Sequence, residues 1–467
     1  MQNLNVRHLI KDNKSNFLKT LKEHIDMPRL IPKEFKSAFY KSVGRPRGRT
    51  LESFIWFFQL KNIIGIPNDS AFLTVLMLSS EICEFCGFDT VPEAWEITNF
   101  RKDFADYFVL MFDNIVDETE PICRELDPKK ADYLIYDTTG VKANVTENNP
   151  KFIGTKLAAA KKAVKKNPEL NPYTLVYSML PDTAKANSDV KHQHINGHFC
   201  YAHKAGIITN GIGIVRHIAF FDDSFKGKHP EIVEQKTDNP SLDKEISDSA
   251  SLKPVLSDFY HKHPRFKYYK TFIGDSSFDS YDTYSMLRND FHFDRICVPI
   301  NPRNSANAHA EFDLNGTPVC PIDKTPFKFL AASKDKKRSL RFKWVCHKSK
   351  QVPNHPSKRF CLCDNPCTTS SYGRCVYTYP DKNFRFYPGI PRGTLHWDNL
   401  YRHRTLIERT INIFKDDFGI AHRKSFSTAT AKADLFLAGI SQLLGVLFAY
   451  ATNQPRLFKS VRKLFSA

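Results

Sequence analysis

The pattern of apolar and polar positions divides the chain into a helical first quarter, an alternating middle and a helical end. Leu51 to Ile64 is strongly apolar; Pro67-Asn68-Asp69-Ser70 then stops the run and supplies a new N-cap, and Ala71 to Phe85 follows with helical periodicity. After Gly87, Pro92 and Thr98 open a third helix over Asn99 to Phe112. From Ala131 the period shortens. Tyr133-Leu134-Ile135-Tyr136 reads as a buried strand that delivers Asp137 before Thr138-Thr139-Gly140 breaks the pattern. Lys156, Lys161, Lys162, Lys165 and Lys166 then mark a basic loop. His198 to Phe221 alternates and is split at Asn210-Gly211, a hairpin signal. A helix from Ser249 to His261, a strand from Tyr268 to Ile273 that leads to Asp275, a helix from Ser280 to Arg288 and a strand from Arg295 to Ile300 complete an α/β alternation. Ala433 to Ala451 is rich in Leu, Phe and Ala. Asp434, Ser441 and Gln442 within it predict a buried core helix rather than a membrane span.

Leu400 to Phe418 carries the densest chemistry and reads as one helix. At roughly 100° per residue, Tyr401, Arg404, Glu408 and Lys415 fall within an arc of about 60°, while Ile407, Ile411, Phe414 and Phe418 form the adjoining apolar stripe. A Glu-Arg pair on an amphipathic surface helix would show the same spacing. The strand-borne Asp137 and Asp275 add to it. Two aspartates and a glutamate on rigid elements are the hard-oxygen set that a two-metal phosphoryl-transfer site needs.

Tyr401-x2-Arg404-x3-Glu408-x6-Lys415 resembles the Y-x2-R-x3-E-x6-K signature of the YREK group of bacterial insertion-sequence transposases with a DDE site. Asp275-Ser276-Ser277-Phe278 is similar to that group's second-aspartate motif, and Asp137-Thr138-Thr139 to its first. The resemblance implies a ribonuclease-H-like catalytic core, with two Mg²⁺ or Mn²⁺ ions held by Asp137, Asp275 and Glu408. It further implies that Arg404 and Lys415 clamp phosphate beside the scissile bond and that Tyr401 positions the transposon end. The product would be element DNA joined to a new target, made by a homodimer on double-stranded DNA in the bacterial cytoplasm, associated with the nucleoid.

The expected fold is α/β, with that core interrupted by a Cys-bearing β insertion and preceded by an all-helical domain. Its predicted parts are a DNA-binding or dimerisation domain over 1–125, the core over 126–303 and 393–452, the insertion over 304–392 and a basic tail over 453–467. The helical part suits either a helix-turn-helix reader or a dimerisation module. Ahead of it, Arg45, Arg47 and Arg49 form a basic arm with Gly and Pro that suits minor-groove insertion or a plain charged loop. Six of the eleven cysteines lie in the insertion, at Cys320, Cys346, Cys361, Cys363, Cys367 and Cys375. Small β modules with few apolar runs use metal staples, so Cys346, Cys361, Cys363, Cys367 and Cys375 are candidate ligands for one structural Zn²⁺; reduced thiols in a small core are the alternative. Trp344, in the same insertion, is a candidate platform for an unstacked base. Cys83-x2-Cys86 has no second pair and reads as packing thiols, and His192, His194, His198 and His203 lack a Cys or carboxylate framework for a metal.

Charge narrows the partners. Lys plus Arg number 68 against 50 Asp plus Glu, a net charge of +18, which favours nucleic acid over an anionic membrane because the excess is spread along the whole chain. Met1 to Lys11 has no apolar core of signal-peptide type, which predicts that the protein is not secreted. The alternatives to a transposase are a ribonuclease-H-like nuclease without strand transfer and an inactive, transposase-derived DNA-binding protein. A haloacid-dehalogenase-type phosphatase would need a second Asp two residues after Asp137, where Thr139 stands.

Overall fold

A computed structural model describes residues 14–44, 46–167, 169, 171–195, 198–233, 246–301, 311–335, 338–454 and 457–458. The fold is mixed α/β, and its chain divides into two compact units. One comprises Met1–Ala131, Asp137–Arg265 and Leu406–Ala467; the other comprises Asp132–Tyr136 and Phe266–Thr405.

Two helices without a polar face organise the first unit. Thr50 caps Leu51–Ile63 by accepting the Ser53 amide, and twelve residues of that helix are buried, as an all-round apolar sequence requires. Thr428–Ala451 lies against it and against Ala105–Leu126. Its polar residues are each satisfied inside: Ser441 donates to Gln59 Oε1 at 2.7 Å, the Gln442 side-chain oxygen accepts the Val215 amide at 2.9 Å, and Asp434 accepts from Arg101 and Arg423 at 2.9 and 2.6 Å. Among the described residues it is the one helix long and apolar enough to cross a membrane, and 83% of its most apolar window is buried within the protein. Gly439 permits the close approach, because a Cβ there would sit 2.7 Å from the Phe112 ring.

The strands of this unit are β1 (Tyr133–Lys142, whose first half belongs to the other unit), β2 (Thr183–Ala184), β3 (Asn187–Ile195), β4 (His198–Asn210) and β5 (Val215–Phe220). They run in the order β2-β3-β4-β1, with β5 also beside β4; the β2–β3, β3–β4 and β4–β5 pairs are antiparallel. The hairpin expected at Asn210-Gly211 forms, and Asn210 Oδ1 pins its turn by accepting the Ile212 and Ile214 amides, both at 3.1 Å. Every residue of β5 is buried.

Four expectations need correction here: Ala71 to Phe85 is two helices, Asp69–Leu78 and Ser80–Cys86, broken at Ser79, and β1 runs through Thr138-Thr139-Gly140 to Lys142 instead of ending before them. The basic loop is a helix, Pro150–Val164, started by Asn149 and by Pro at its first position and sustained by Leu157-Ala158-Ala159-Ala160. The third helix is two, Ala94–Asp103 and Ala105–Leu126, broken at Phe104. The His192 ring lies between the rings of Tyr177 and Tyr201, at 5.0 and 5.2 Å; the side chains of His194 and His198 lie outside the described residues.

In the second unit, the first half of β1 pairs in parallel with β6 (Thr271–Ile273), and β6 pairs in parallel with β7 (Arg295–Cys297). The helix Tyr281–Asn289 connects the last two. Next come β8 (Lys328–Asp335), β9 (Arg338–Val345), β10 (Ser349–Val352), β11 (His355–Cys361) and β12 (Cys375–Thr378). They form a three-stranded sheet in the order β12-β9-β8 and a separate β10–β11 hairpin. The core of this β module is small: Cys320, Phe327, Phe342 and Trp344. Its far end is tied down by Arg385, whose guanidinium meets Asp279 through two bonds of 3.0 and 2.7 Å, and by Arg392, which donates to Val298 O.

The expected single helix over Leu400–Phe418 is a composite. Leu395–Tyr401 is α-helical, Arg402–Arg404 is a 3₁₀ turn, Thr405–Asn412 is α-helical and Ile413–Asp417 is a π-helical turn.

Candidate active site

Asp275 follows β6 by two residues and caps the short 3₁₀ turn Ser276–Phe278. Its Oδ1 accepts the Ser277 amide at 2.8 Å and the Ser277 hydroxyl. Phe278 locks the turn, packing edge-on against Tyr136 and Phe272 with ring centroids at 5.6 and 6.1 Å. Arg404 stands beside this carboxylate, its Nη2 3.8 Å from Asp275 Oδ2, with both side chains partly exposed. The 3₁₀ turn that presents Arg404 is held from both sides: Tyr401 stacks on Trp397 at 4.9 Å, and the His403 ring meets Tyr133 edge-on at 5.4 Å. Asp275, Arg404 and Tyr401 thus belong to one well-braced part of the second unit.

Asp137, Glu408 and Lys415 belong to the first unit. Asp137 Oδ1 accepts the Thr138 amide at 2.8 Å, and the Thr138 hydroxyl donates to Asp248, which also pairs with Lys204 at 2.7 Å. Glu408 is carried by the helix Thr405–Asn412, whose Ile407, Thr410 and Ile411 are buried; Thr410 donates to Gly213 O at 2.9 Å and fixes the helix on the β4–β5 turn. Lys415 sits in the π turn, where Phe414 is buried and stacks on Phe418 at 6.1 Å. Burial pushes the Lys415 ammonium's pKa down, while Cys200, Asp416 and Asp137 oppose that shift, so Asp137 and Lys415 share one electrostatic neighbourhood.

Several other candidates are engaged within their own unit. Trp344 is 2% exposed and donates its indole N–H to Thr378 Oγ1 at 2.9 Å, so it is a core residue of the β module rather than a platform for a base. Arg49 is ion-paired with Glu96 at 3.0 Å and bonded to Thr90 O, and Arg47 lies over the Phe39 ring and donates to Phe39 O; these two are fastened to the helical bundle instead of forming a free arm. Arg45 lies outside the described residues. Of the predicted zinc ligands, Cys346 and Cys361 come together, with sulfurs 3.8 Å apart. Cys363 instead donates to Asn365 O, and Cys375 to Gly373 O.

One cluster had no signal in the sequence. Asp113, His217 and His263 are the one group of at least three His, Cys, Asp or Glu residues, among those described, whose ligand atoms all lie within 4.8 Å of one another. They come from three elements far apart in the chain, with no shared spacing. His263 Nδ1 is 2.7 Å from Asp117, and His217 Nε2 is 3.3 Å from Asp258. Carboxylates behind ligating histidines are typical of metal sites. Here, however, the Lys262 ammonium already lies 3.3 Å from Asp113 and 3.2 Å from Asp258 and supplies the cation. Burial lowers the pKa of His217 and keeps it neutral. The cluster is not closed by its own hydrogen bonds, however: Asp113 Oδ1 and both ring nitrogens of His217 are buried and make none. Comparison with protein-family profiles and with curated proteins finds no match for this chain.

Proposed function

We propose that this chain is a DDE transposase that cleaves DNA at the ends of a mobile element and joins the freed ends to target DNA. The observation that supports it best is a register. In the parallel pairing of β1 with β6, Ile135 is the partner of Ile273, and each strand reaches an aspartate two residues later, Asp137 and Asp275. Adjacent parallel strands that carry acidic residues two positions beyond their last paired residues, in a mixed sheet, are compatible with a ribonuclease-H-like core. In open α/β sheets, ligands bind beyond the carboxyl ends of strands, and Asp275 follows the end of β6, whereas Asp137 lies within β1, which runs on to Lys142.

The donor set fits Mg²⁺ or Mn²⁺. Asp137, Asp275 and Glu408 offer hard carboxylate oxygens on rigid elements, and the Asp275 carboxylate is already oriented through its Oδ1 by Ser277. Bound metal would polarise the scissile phosphate and ease deprotonation of the attacking water or 3′-OH. Arg404 presents a planar guanidinium beside Asp275, suited to a phosphate oxygen. Lys415 gains from a phosphate the solvation that burial denies it. Tyr401, stacked on Trp397, offers an aromatic face and a hydroxyl to the DNA end.

The test uses a plasmid carrying the DNA that flanks the reading frame. Mg²⁺-dependent cleavage and joining, both lost in Asp137→Asn, Asp275→Asn and Glu408→Gln while DNA binding persists and weakens steeply with salt, is the expected result. Cleavage that survives these substitutions overturns the site; cleavage without joining of a 3′-OH identifies a nuclease; binding without cleavage by the wild-type chain identifies an inactive descendant.

A further inference from the structure

Asp113, His217 and His263 meet inside the first unit from three elements: the helix Ala105–Leu126, β5, and the residue that follows the helix Asp248–Lys262. Their ligand atoms all lie within 4.8 Å of one another. His217 is fully buried and neither of its ring nitrogens makes a hydrogen bond, although Asp258 Oδ2 lies 3.3 Å from Nε2. Asp113 Oδ1 is buried and makes none either. Buried polar atoms in folded proteins are satisfied as a rule, so two such groups side by side mark a place built for a ligand.

The surroundings suit a cation with nitrogen and oxygen ligands. His263 Nδ1 donates to Asp117 Oδ1 at 2.7 Å, which fixes the ring and turns Nε2 toward Asp113 Oδ1, 3.9 Å away. A carboxylate behind the far nitrogen is how ligating histidines are oriented and their tautomer set. Two ligand atoms about 2.1 Å from one tetrahedral ion lie about 3.4 Å apart, so 3.9 Å is too long for a hydrogen bond and close to the spacing a metal imposes. Lys262 reaches Asp113 through the other oxygen, Oδ2, at 3.3 Å, and Asp258 Oδ2 at 3.2 Å, and so leaves Asp113 Oδ1 to the two rings. Three carboxylates, those of Asp113, Asp117 and Asp258, surround this one ammonium, and the excess of negative charge matches a divalent ion. Burial holds His217 in the neutral form that ligates. Phe259 packs against both rings, with centroids at 5.7 and 5.4 Å, and the partly exposed Asp113, Asp258 and Lys262 give an ion its way in.

We propose that Asp113 Oδ1, a ring nitrogen of His217 and His263 Nε2 bind one zinc ion that ties β5 to the helices Ala105–Leu126 and Asp248–Lys262. Two imidazoles with one carboxylate favour zinc over Mg²⁺ and Ca²⁺, which take oxygen ligands. Three protein ligands leave a fourth position for water. Both rings are buried inside the first unit, which gives the ion a structural task. The site shares no residue with Asp137, Asp275 and Glu408 and does not rest on the transposase reading, so its metal content is read without any activity assay.

The full chain, purified under reducing conditions, is stripped with a chelator, reloaded with zinc, freed of excess metal and examined by elemental analysis; its Co²⁺ form is examined by absorption spectroscopy. The expected result is one zinc per chain and a Co²⁺ spectrum of nitrogen and oxygen ligands, without the near-ultraviolet thiolate bands that cysteine ligands would give. His217→Phe and Asp113→Asn should each lose the zinc, and Asp137→Asn should keep it. Phenylalanine fills the His217 space against Phe259 without polar atoms, so His217→Phe should fold, and urea unfolding checks that it does. Zinc should raise the unfolding midpoint of the wild type and leave that of His217→Phe unmoved. Zinc well below one equivalent in the reloaded wild type, zinc retained by a folded His217→Phe or Asp113→Asn, or a Co²⁺ spectrum carried by thiolate bands would overturn the proposal.

Discussion

Arg385→Met should destabilise the second unit by about 3 kcal/mol and impair any chemistry that depends on Asp275. Asp279 is 1% exposed and receives two guanidinium bonds from Arg385, at 3.0 and 2.7 Å. Charge-assisted bonds contribute about 1.5–3 kcal/mol each, and leaving one member of a buried ion pair without its partner costs about 3–5 kcal/mol. The lower part of that range applies, because the Asp279 carboxylate still has the Asn301 amide at 2.7 Å and the Tyr284 hydroxyl at 3.2 Å. Methionine retains most of the arginine stem's volume, which confines the effect to the lost charge and hydrogen bonds. The assay is urea unfolding followed by tryptophan fluorescence in a Trp56→Phe, Trp95→Phe background. The remaining Trp344 and Trp397 both belong to the second unit. Adding Asp279→Asn should recover about 2 kcal/mol, since the orphaned charge is then gone. A loss below about 1 kcal/mol, or strict additivity of the two substitutions, would refute the claim that this pair clamps the segment after Asp275.

Two further outcomes follow from single residues. Burial, with smaller contributions from nearby charges led by Arg423, lowers the pKa of His203 from 6.5 to about 4. The unfolded chain therefore takes up the proton first as pH falls, so stability should be lost between about 6.5 and 4, by about 3 kcal/mol at most, and His203→Phe should flatten that part of a stability-versus-pH curve measured by denaturant unfolding. Trp344→Phe removes the bond to Thr378 and should cost about 1–3 kcal/mol in the same unfolding assay; under the proposed function, DNA affinity at fixed salt should stay unchanged, and a large loss of affinity with stability intact would make the indole part of the proposed DNA contact.

The elements that local pattern determines were legible. Leu51–Ile63, the Asn210-Gly211 hairpin, the strand before Asp137 and the buried helix Thr428–Ala451 all announce themselves through caps, turn residues or unbroken apolar runs. What was not legible depends on partners distant in sequence. Arg47 and Arg49 read as a free basic arm because nothing near them reveals Phe39 and Glu96 as their partners. Trp344 reads as a candidate platform for a base until Thr378, 34 residues on, accepts its N–H. The lysines after Lys156 read as a loop because charge was weighed above the alanine run and the proline at Pro150 that make a helix.

The segment from Leu395 to Asp417 shows how a fixed-spacing signature can be met without a uniform helix. In a regular α-helix, Arg404 trails Tyr401 by about 60° around the axis; three residues in 3₁₀ geometry close a full turn and bring it about in line. That extra rotation is stabilised by the stacking of Tyr401 on Trp397 and of His403 against Tyr133, and it accompanies an Arg404 guanidinium 3.8 Å from Asp275. Further on, the wider i→i+5 turn around Lys415 lets Phe414 and Phe418 stack while the lysine stays partly buried in the same electrostatic neighbourhood as Asp137. The α-helical turn between them is the one that carries Glu408, anchored by Thr410 on Gly213 O. Arg404, Glu408 and Lys415 therefore sit in three different local helix types, and under the proposed function a substitution that regularised the segment would keep all four residues of the motif while turning Arg404 and Lys415 away from their present directions.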